Sequence, residues 1–215
     1  MADFSLYLVT DRSLARGRAL VDLVREAVAG GVTCVQLREK QLDTRTFVAA
    51  ARELRAALRP LGIPLIINDR VDVARAAEAE GVHVGRHDMT LADARRLGPP
   101  SWIIGVSAES AADAVRAERD GADYIGVSPV FSTPTKTDTA PPLGLDGLRD
   151  IRALVRTPLV AIGGIHAGNA RGVVRAGADG LAVVSAIVAA DSPRAAAAEL
   201  RREIDAARAE TRRER

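Results

Sequence analysis

Short apolar runs alternate with Ala-, Arg- and Leu-rich stretches of helical period along the whole chain. The apolar runs fall at residues 5–11, 32–40, 64–69, 81–85, 102–107, 124–127, 158–165 and 180–185. Helical patterns follow at 19–29, 44–58, 71–79, near 91–97, and at 110–119, 145–155 and 169–176, with a closing helix from Pro193. Strands alternating with helices of this size predict a parallel sheet, because each crossover brings the chain back to start the next strand in the same direction. Eight such units predict an α/β fold closed on itself, a single-domain (β/α)8 TIM barrel over 1–215. A doubly wound open sheet is the alternative. It would carry a glycine-rich fingerprint after the first strand, where this chain reads VTDRSLARG. Gly31, Gly81, Gly121 and Gly177 precede strands two, four, six and eight. They are read as residues that end the preceding helices.

One connection is out of proportion. After the strand at 124–127 comes a loop of roughly fifteen residues, against a usual four to six. It is rich in Ser, Thr and Pro, with Phe131 as its one large apolar anchor. Thr133, Thr135, Thr137 and Thr139 surround Lys136, a set suited to cradling phosphate. Of 30 Lys and Arg residues only Lys40 and Lys136 are lysines. A chain that uses Arg almost everywhere keeps the compact ammonium at these two positions.

Composition narrows the rest. A net charge of +2 over 215 residues is nearly balanced. Aromatics at 3% disfavour stacking platforms for single-stranded nucleic acid. Cys34 is alone, so no intramolecular disulfide is expected, and no Cys/His cluster suggests zinc. No leader is read at the N-terminus, and no apolar run reaches the ~18–20 residues of a membrane span. The expectation is a cytoplasmic protein without nucleic-acid or membrane partners. The RRER end reads as a solvated, frayed helix tail. The helices show no apolar patch from which an oligomeric state follows.

In barrels of this kind the chemistry sits at the C-terminal ends of the strands. Alternation puts Cys34, Gln36, Arg38 and Lys40 on one face of strand two, with Val35 and Leu37 on the other. That stacks donors toward the mouth for an anionic ligand, with Glu39 beside them as a loop charge. Strand three ends in Asn68 and Asp69, and the loop after strand four brings Asp88. Two carboxylates from adjacent strand ends suit Mg²⁺, which takes one or two carboxylates plus water and phosphate oxygens. Each taken singly also reads as a helix cap. Ser107 puts a hydroxyl at the mouth, or caps the next helix. None of the three histidines, His83, His87 and His166, is placed for a nucleophilic triad, so acyl-enzyme chemistry is not expected. Gly163 and Gly164 read as a backbone nest for a monophosphate, to which Ser185 at the end of strand eight adds a hydroxyl.

The motifs QLREK, IINDRVDVA, GVHVGRHD, IGVSA, GADYIGVSPVFSTPTKT, AIGGI and AVVSAI occur in this order over essentially the whole chain. Together they resemble the thiamine phosphate synthase family. The resemblance implies a transferase that joins a pyrimidine diphosphate to a thiazole phosphate and releases pyrophosphate. It implies that Gln36, Arg38, Glu39, Lys40, Asn68, Ser107 and Lys136 bind the pyrimidine diphosphate. Arg38, Lys40, Lys136 and Ser107 would be the catalytic set, and Asp69 and Asp88 would hold Mg²⁺. Thr133, Thr135, Gly164, Val184 and Ser185 would bind the thiazole phosphate. The partners expected are thus two phosphorylated small molecules. Arg86 stands where the family usually has Gln, and Ser132 where it commonly has Pro. The rival readings are a thiazole tautomerase on the same barrel, a sugar-phosphate isomerase or epimerase, and a non-catalytic sensor of a thiamine precursor.

Overall fold

A computed structural model describes residues 2–133 and 141–213. Eight parallel strands close into a barrel in sequence order. They are β1 (Leu6–Val9), β2 (Cys34–Leu37), β3 (Leu65–Asn68), β4 (Gly81–Val84), β5 (Ile103–Ala108), β6 (Tyr124–Val127), β7 (Leu159–Ile162) and β8 (Gly180–Val183). The helices are α1 (Leu20–Ala29), α2 (Thr44–Leu58), α3 (Val71–Ala76), α4 (Leu91–Leu97), α5 (Ala111–Arg119), α6 (Gly144–Leu154), α7 (Ala167–Arg175), α8 (Ser185–Val188) and α9 (Pro193–Arg213). β1 pairs with both β2 and β8, which closes the ring. Among the described residues no helix is long and apolar enough to cross a membrane.

Strand alternation divides the core into two. Leu6, Leu8, Val35, Leu37, Leu65 and Ile67 point outward and pack beneath the helices. Tyr7, Val9, Cys34, Ile66, Tyr124, Val160 and Ala182 point inward and, with Phe4, fill the barrel. Phe4 and Tyr124 pack with rings tilted at 39° and centroids 4.6 Å apart, and Tyr7 meets Tyr124 edge-on at 5.7 Å. The predicted inward and outward faces of β2 are therefore those observed for Cys34, Val35, Gln36 and Leu37.

Most strands are shorter than their apolar runs, because pairing stops where the chain turns outward into the loops. Arg38 and Lys40 lie past the end of β2. The apolar stretch after β8 leaves the sheet as the short helix α8, which the sequence pattern merges into the strand. Gly31, Gly121 and Gly177 follow their helices at φ of +110°, +89° and +107°, as C-terminal stops require. Gly81 does not. It lies within β4, where a Cβ would run into the carbonyl of Ile103, and Glu78 takes the left-handed conformation after α3 instead, at φ +54°.

Candidate active site

The strand ends open into one cavity of about 1240 Å³. Gln36, Arg38, Lys40, Asn68, Asp69, Asp88, Ser107, Thr133, Gly164, Val184 and Ser185 all line it. Residues from seven strand ends thus converge, which only barrel closure can arrange. Glu39 is not part of the lining. Its carboxylate, 6% exposed, turns onto Arg12 at 2.8 Å and ties the β2 loop to the turn after β1. Thr135 and Lys136, with Thr137 and Thr139, lie outside the described residues.

Neither carboxylate is a helix cap. α3 has Arg70 at its N-cap position and no side-chain cap, and α4 is capped by Thr90. Asp69 adopts φ +61°, a left-handed conformation uncommon outside glycine. The Lys40 Nζ donates to its Oδ2 at 2.5 Å. Asp88 Oδ2 accepts from the Gly85 N–H at 2.8 Å. Burial raises the Asp69 pKa, but hydrogen bonds from Lys40 and Asp88 and the Lys40 charge outweigh it and hold the group below the usual carboxylate range. Burial, and then the neighbouring Asp69, push Asp88 the other way. Two adjacent carboxylates, one with its pKa raised by burial and by the other's charge, form a donor set whose repulsion a divalent cation would relieve. Among the described residues no group of three or more His, Cys, Asp or Glu forms a complete cage.

The glycine pair, which lines the cavity, also makes room for a neighbouring loop. Gly163 and Gly164 stand at φ +108° and +63°. A Cβ on Gly163 would sit 2.9 Å from the Pro129 side chain, and one on Gly164 would sit 2.7 Å from the Ser132 carbonyl. What they admit first is the loop after β6, which bonds alongside through Val130 N–H to Ile162 O and Phe131 N–H to Gly163 O. Asn169, not singled out by sequence, holds this corner. Its Oδ1 accepts from the His166 N–H and its Nδ2 donates to the Gly164 carbonyl, each at 2.9 Å.

Ser107 is likewise no cap, since Ser110 caps α5. The sequence placed no histidine for it, yet His83 Nε2 lies 2.9 Å from the Ser107 Oγ. The other ring nitrogen meets the Tyr124 hydroxyl, not a carboxylate, at 2.9 Å. β4 and β5 pair His83 with Gly105, two residues before Ser107, and barrel tilt brings the two side chains together.

The family model described as thiamine monophosphate synthase matches residues 6–187. The thiamine-phosphate synthase of Albidiferax ferrireducens is 61% identical over 201 residues, covering 94% of this chain and 92% of that one. That of Chloroflexus aurantiacus is 56% identical, with 94% and 93% covered. A solved thiamine phosphate pyrophosphorylase from Pyrococcus furiosus superposes with a TM-score of 0.88 at 41% identity, over 96% of this chain and 98% of that one. A 3-hexulose-6-phosphate synthase superposes with a TM-score of 0.67 at 20% identity, a likeness of fold alone. With most of its length matched by the family model and by relatives this similar, the chain belongs to the thiamine monophosphate synthase family of transferases.

Proposed function

We propose that the chain condenses 4-amino-2-methyl-5-(diphosphooxymethyl)pyrimidine with 4-methyl-5-(2-phosphoethyl)thiazole, or its carboxylated form, giving thiamine phosphate and pyrophosphate. The observation that carries this reading is that one cavity is lined both by a cationic and carboxylate set and by a hydroxyl and backbone set. Arg38, Lys40, Asp69 and Asp88 make a charged corner suited to a diphosphate with Mg²⁺. Thr133, Gly164, Val184 and Ser185 make a hydroxyl and backbone corner suited to a monophosphate.

The C–O bond between the pyrimidine methylene and the diphosphate breaks first, and the electron pair leaves with pyrophosphate. Arg38 and Lys40 neutralise the charge that develops on it, and Ser107 donates a hydrogen bond. Lys136 joins this set on the strength of the resemblance. Asp69 and Asp88 would hold Mg²⁺, which would supply further neutralisation of the diphosphate. The pyrimidine amino group stabilises the cation left behind. The thiazole nitrogen, fixed through its phosphate, then closes the C–N bond. No protein nucleophile is needed; the residues supply position and charge. The reading places the enzyme in the cytoplasm, where charged phosphate esters are retained.

Pyrophosphate release tests it, measured with and without Mg²⁺ and the thiazole phosphate, for wild type and Lys136→Ala. Release that requires both substrates and Mg²⁺, and falls on the order of a hundredfold in the variant, is expected. No release under any condition would sink the synthase reading, and thiazole tautomerisation would be assayed next.

A further inference from the structure

The inward face of the barrel carries polar groups that the reaction above does not use. Gln36 Nε2 donates to the Tyr7 hydroxyl at 3.0 Å. Tyr7 and Tyr124 share a hydrogen bond of 2.8 Å between their hydroxyls. Tyr124 meets His83 Nδ1 at 2.9 Å, and His83 Nε2 meets Ser107 Oγ at 2.9 Å. The run crosses from β2 through β1, β6 and β4 to β5. It is buried except at its last member: Tyr7 and Tyr124 are each 1% exposed, Gln36 6% and His83 8%.

Backbone is shaped to seat it. A Cβ on Gly105 would run into the Tyr124 ring, and one on Gly126 would stand 2.9 Å from His83 Cε1. Burial raises both phenol pKa values well above 10, with the neighbouring phenol adding to that of Tyr7. Both hydroxyls therefore keep their protons.

The run has a direction. An amide nitrogen can only donate, so the Tyr7 oxygen accepts from Gln36. Each phenol has a single proton. Continued along the run, Tyr7 donates to Tyr124 and Tyr124 donates to His83 Nδ1. Nδ1 is then the acceptor, so the ring proton sits on Nε2 and is donated to Ser107 Oγ. Ser107 keeps its own proton, aimed into the cavity that it lines. In the reverse polarity Ser107 would donate to His83 and Tyr7 would donate to the neighbouring Cys34 sulfur, a weaker acceptor than the Tyr124 oxygen.

We propose that Tyr7, Tyr124 and His83 are positioning residues that fix Ser107 as a hydrogen-bond donor toward the departing diphosphate. The inference rests on the synthase reading for the identity of that anion. It does not rest on it for the polarity of the relay. A donor oriented in advance needs no reorganisation as charge develops on the leaving group. Gln36 and Ser107, both on the cavity wall, thereby act as two ends of one device.

The test combines a spectroscopic and a kinetic readout. In ligand-free protein with ¹⁵N-labelled histidine, the chain's three imidazoles are assigned using His83→Gln. His83 is expected as the Nε2–H tautomer in wild type, with the Nδ1–H form gaining population in Tyr124→Phe. In steady-state assays Tyr124→Phe and Tyr7→Phe each lower kcat about tenfold, the worth of one hydrogen bond to a charged group. In a Ser107→Ala background neither costs more than about twofold further, because the relay then has nothing to orient. An Nδ1–H tautomer in wild type overturns the proposal. So do tyrosine losses that persist in full without Ser107, which would mark a purely structural role. Tyr7→Phe carries the same test if Tyr124→Phe fails to fold. Absence of synthase turnover in wild type would defeat the functional reading, while the tautomer measurement would still decide the relay.

Discussion

Lys40 and Asp69 meet at 2.5 Å across the ends of β2 and β3, within the charged corner of the cavity. Their side chains are 54% and 21% exposed, so the pair is poorly shielded from water and adds little to stability. Its use lies in placing an ammonium beside the carboxylate pair. Lys40→Ala is therefore expected to lower kcat/KM on the order of a hundredfold. The melting temperature should move by no more than about 3 °C, the effect of an exposed pair worth under about 1 kcal/mol. Parallel kinetics and calorimetry check both. A large fall in stability with modest kinetic loss would show that Lys40 serves the fold.

Asp88 makes the opposite exchange. Burial and the adjacent Asp69 raise its pKa in the folded, metal-free protein. A raised carboxyl contributes stability below its unfolded value near 3.9, and that contribution is lost as pH rises through the folded value. At neutral pH the ionised group is then a liability that Mg²⁺ would relieve. Asp88→Asn should leave the metal-free melting temperature equal or higher at pH 7. It should abolish the Mg²⁺-induced rise expected of wild type, and lower turnover on the order of a hundredfold or more. Thermal melts with and without Mg²⁺ decide it. An equal Mg²⁺ response in the variant would place the metal elsewhere.

The barrel was legible because its helices carry clear apolar faces and its strands are short apolar runs between them. The strand-end residues could be pooled because closure brings C-terminal ends together whatever the loop lengths. Local and cross-barrel detail was not legible. Gly81 reads like the other glycines before strands, but it is excluded from bearing a side chain by Ile103 of the neighbouring strand. Glu39 sits within QLREK between two cavity residues, yet the turn after β2 sends it to Arg12. The contact of His83 with Ser107 depends on the stagger between β4 and β5, which no spacing in the chain encodes. Asn169 acts through a backbone carbonyl five residues earlier, a contact that residue type alone does not announce.

Glycines give a contrast of sign. An alanine at Gly105 would drive its Cβ into the Tyr124 ring, which is buried and cannot swing away. Overpacking of this kind costs about 1–3 kcal/mol, or roughly 3–10 °C for a chain of this size. Gly172 lies inside α7, where a Cβ would make an ordinary 3.6 Å contact with Leu145. Gly172→Ala should therefore stabilise the protein by about 0.5–1 kcal/mol through helix propensity and a less flexible unfolded chain. Denaturant melts of both variants read the two signs. A neutral Gly105→Ala would mean that the tyrosine pair is loosely seated.

Asn169 offers a way to separate the two anion corners. It stands behind Gly164 and touches neither the carboxylates nor Lys40. Removing its amide leaves the Gly164 carbonyl and the His166 N–H without the partners that fix the turn after β7. Gly164, at φ +63°, then loses a restraint on the orientation of its peptide. If this turn holds the thiazole phosphate, Asn169→Ala should raise KM for that substrate about five- to tenfold, the worth of roughly one hydrogen bond. KM for the pyrimidine diphosphate should stay within about twofold, because the hydrogen bonds of Asn169 go to His166 and Gly164 and none goes to Arg38, Lys40, Asp69 or Asp88. Steady-state kinetics with each substrate varied in turn read the split. Equal increases in both would indicate that the turn braces the whole mouth. An unchanged thiazole KM would move the monophosphate away from Gly164.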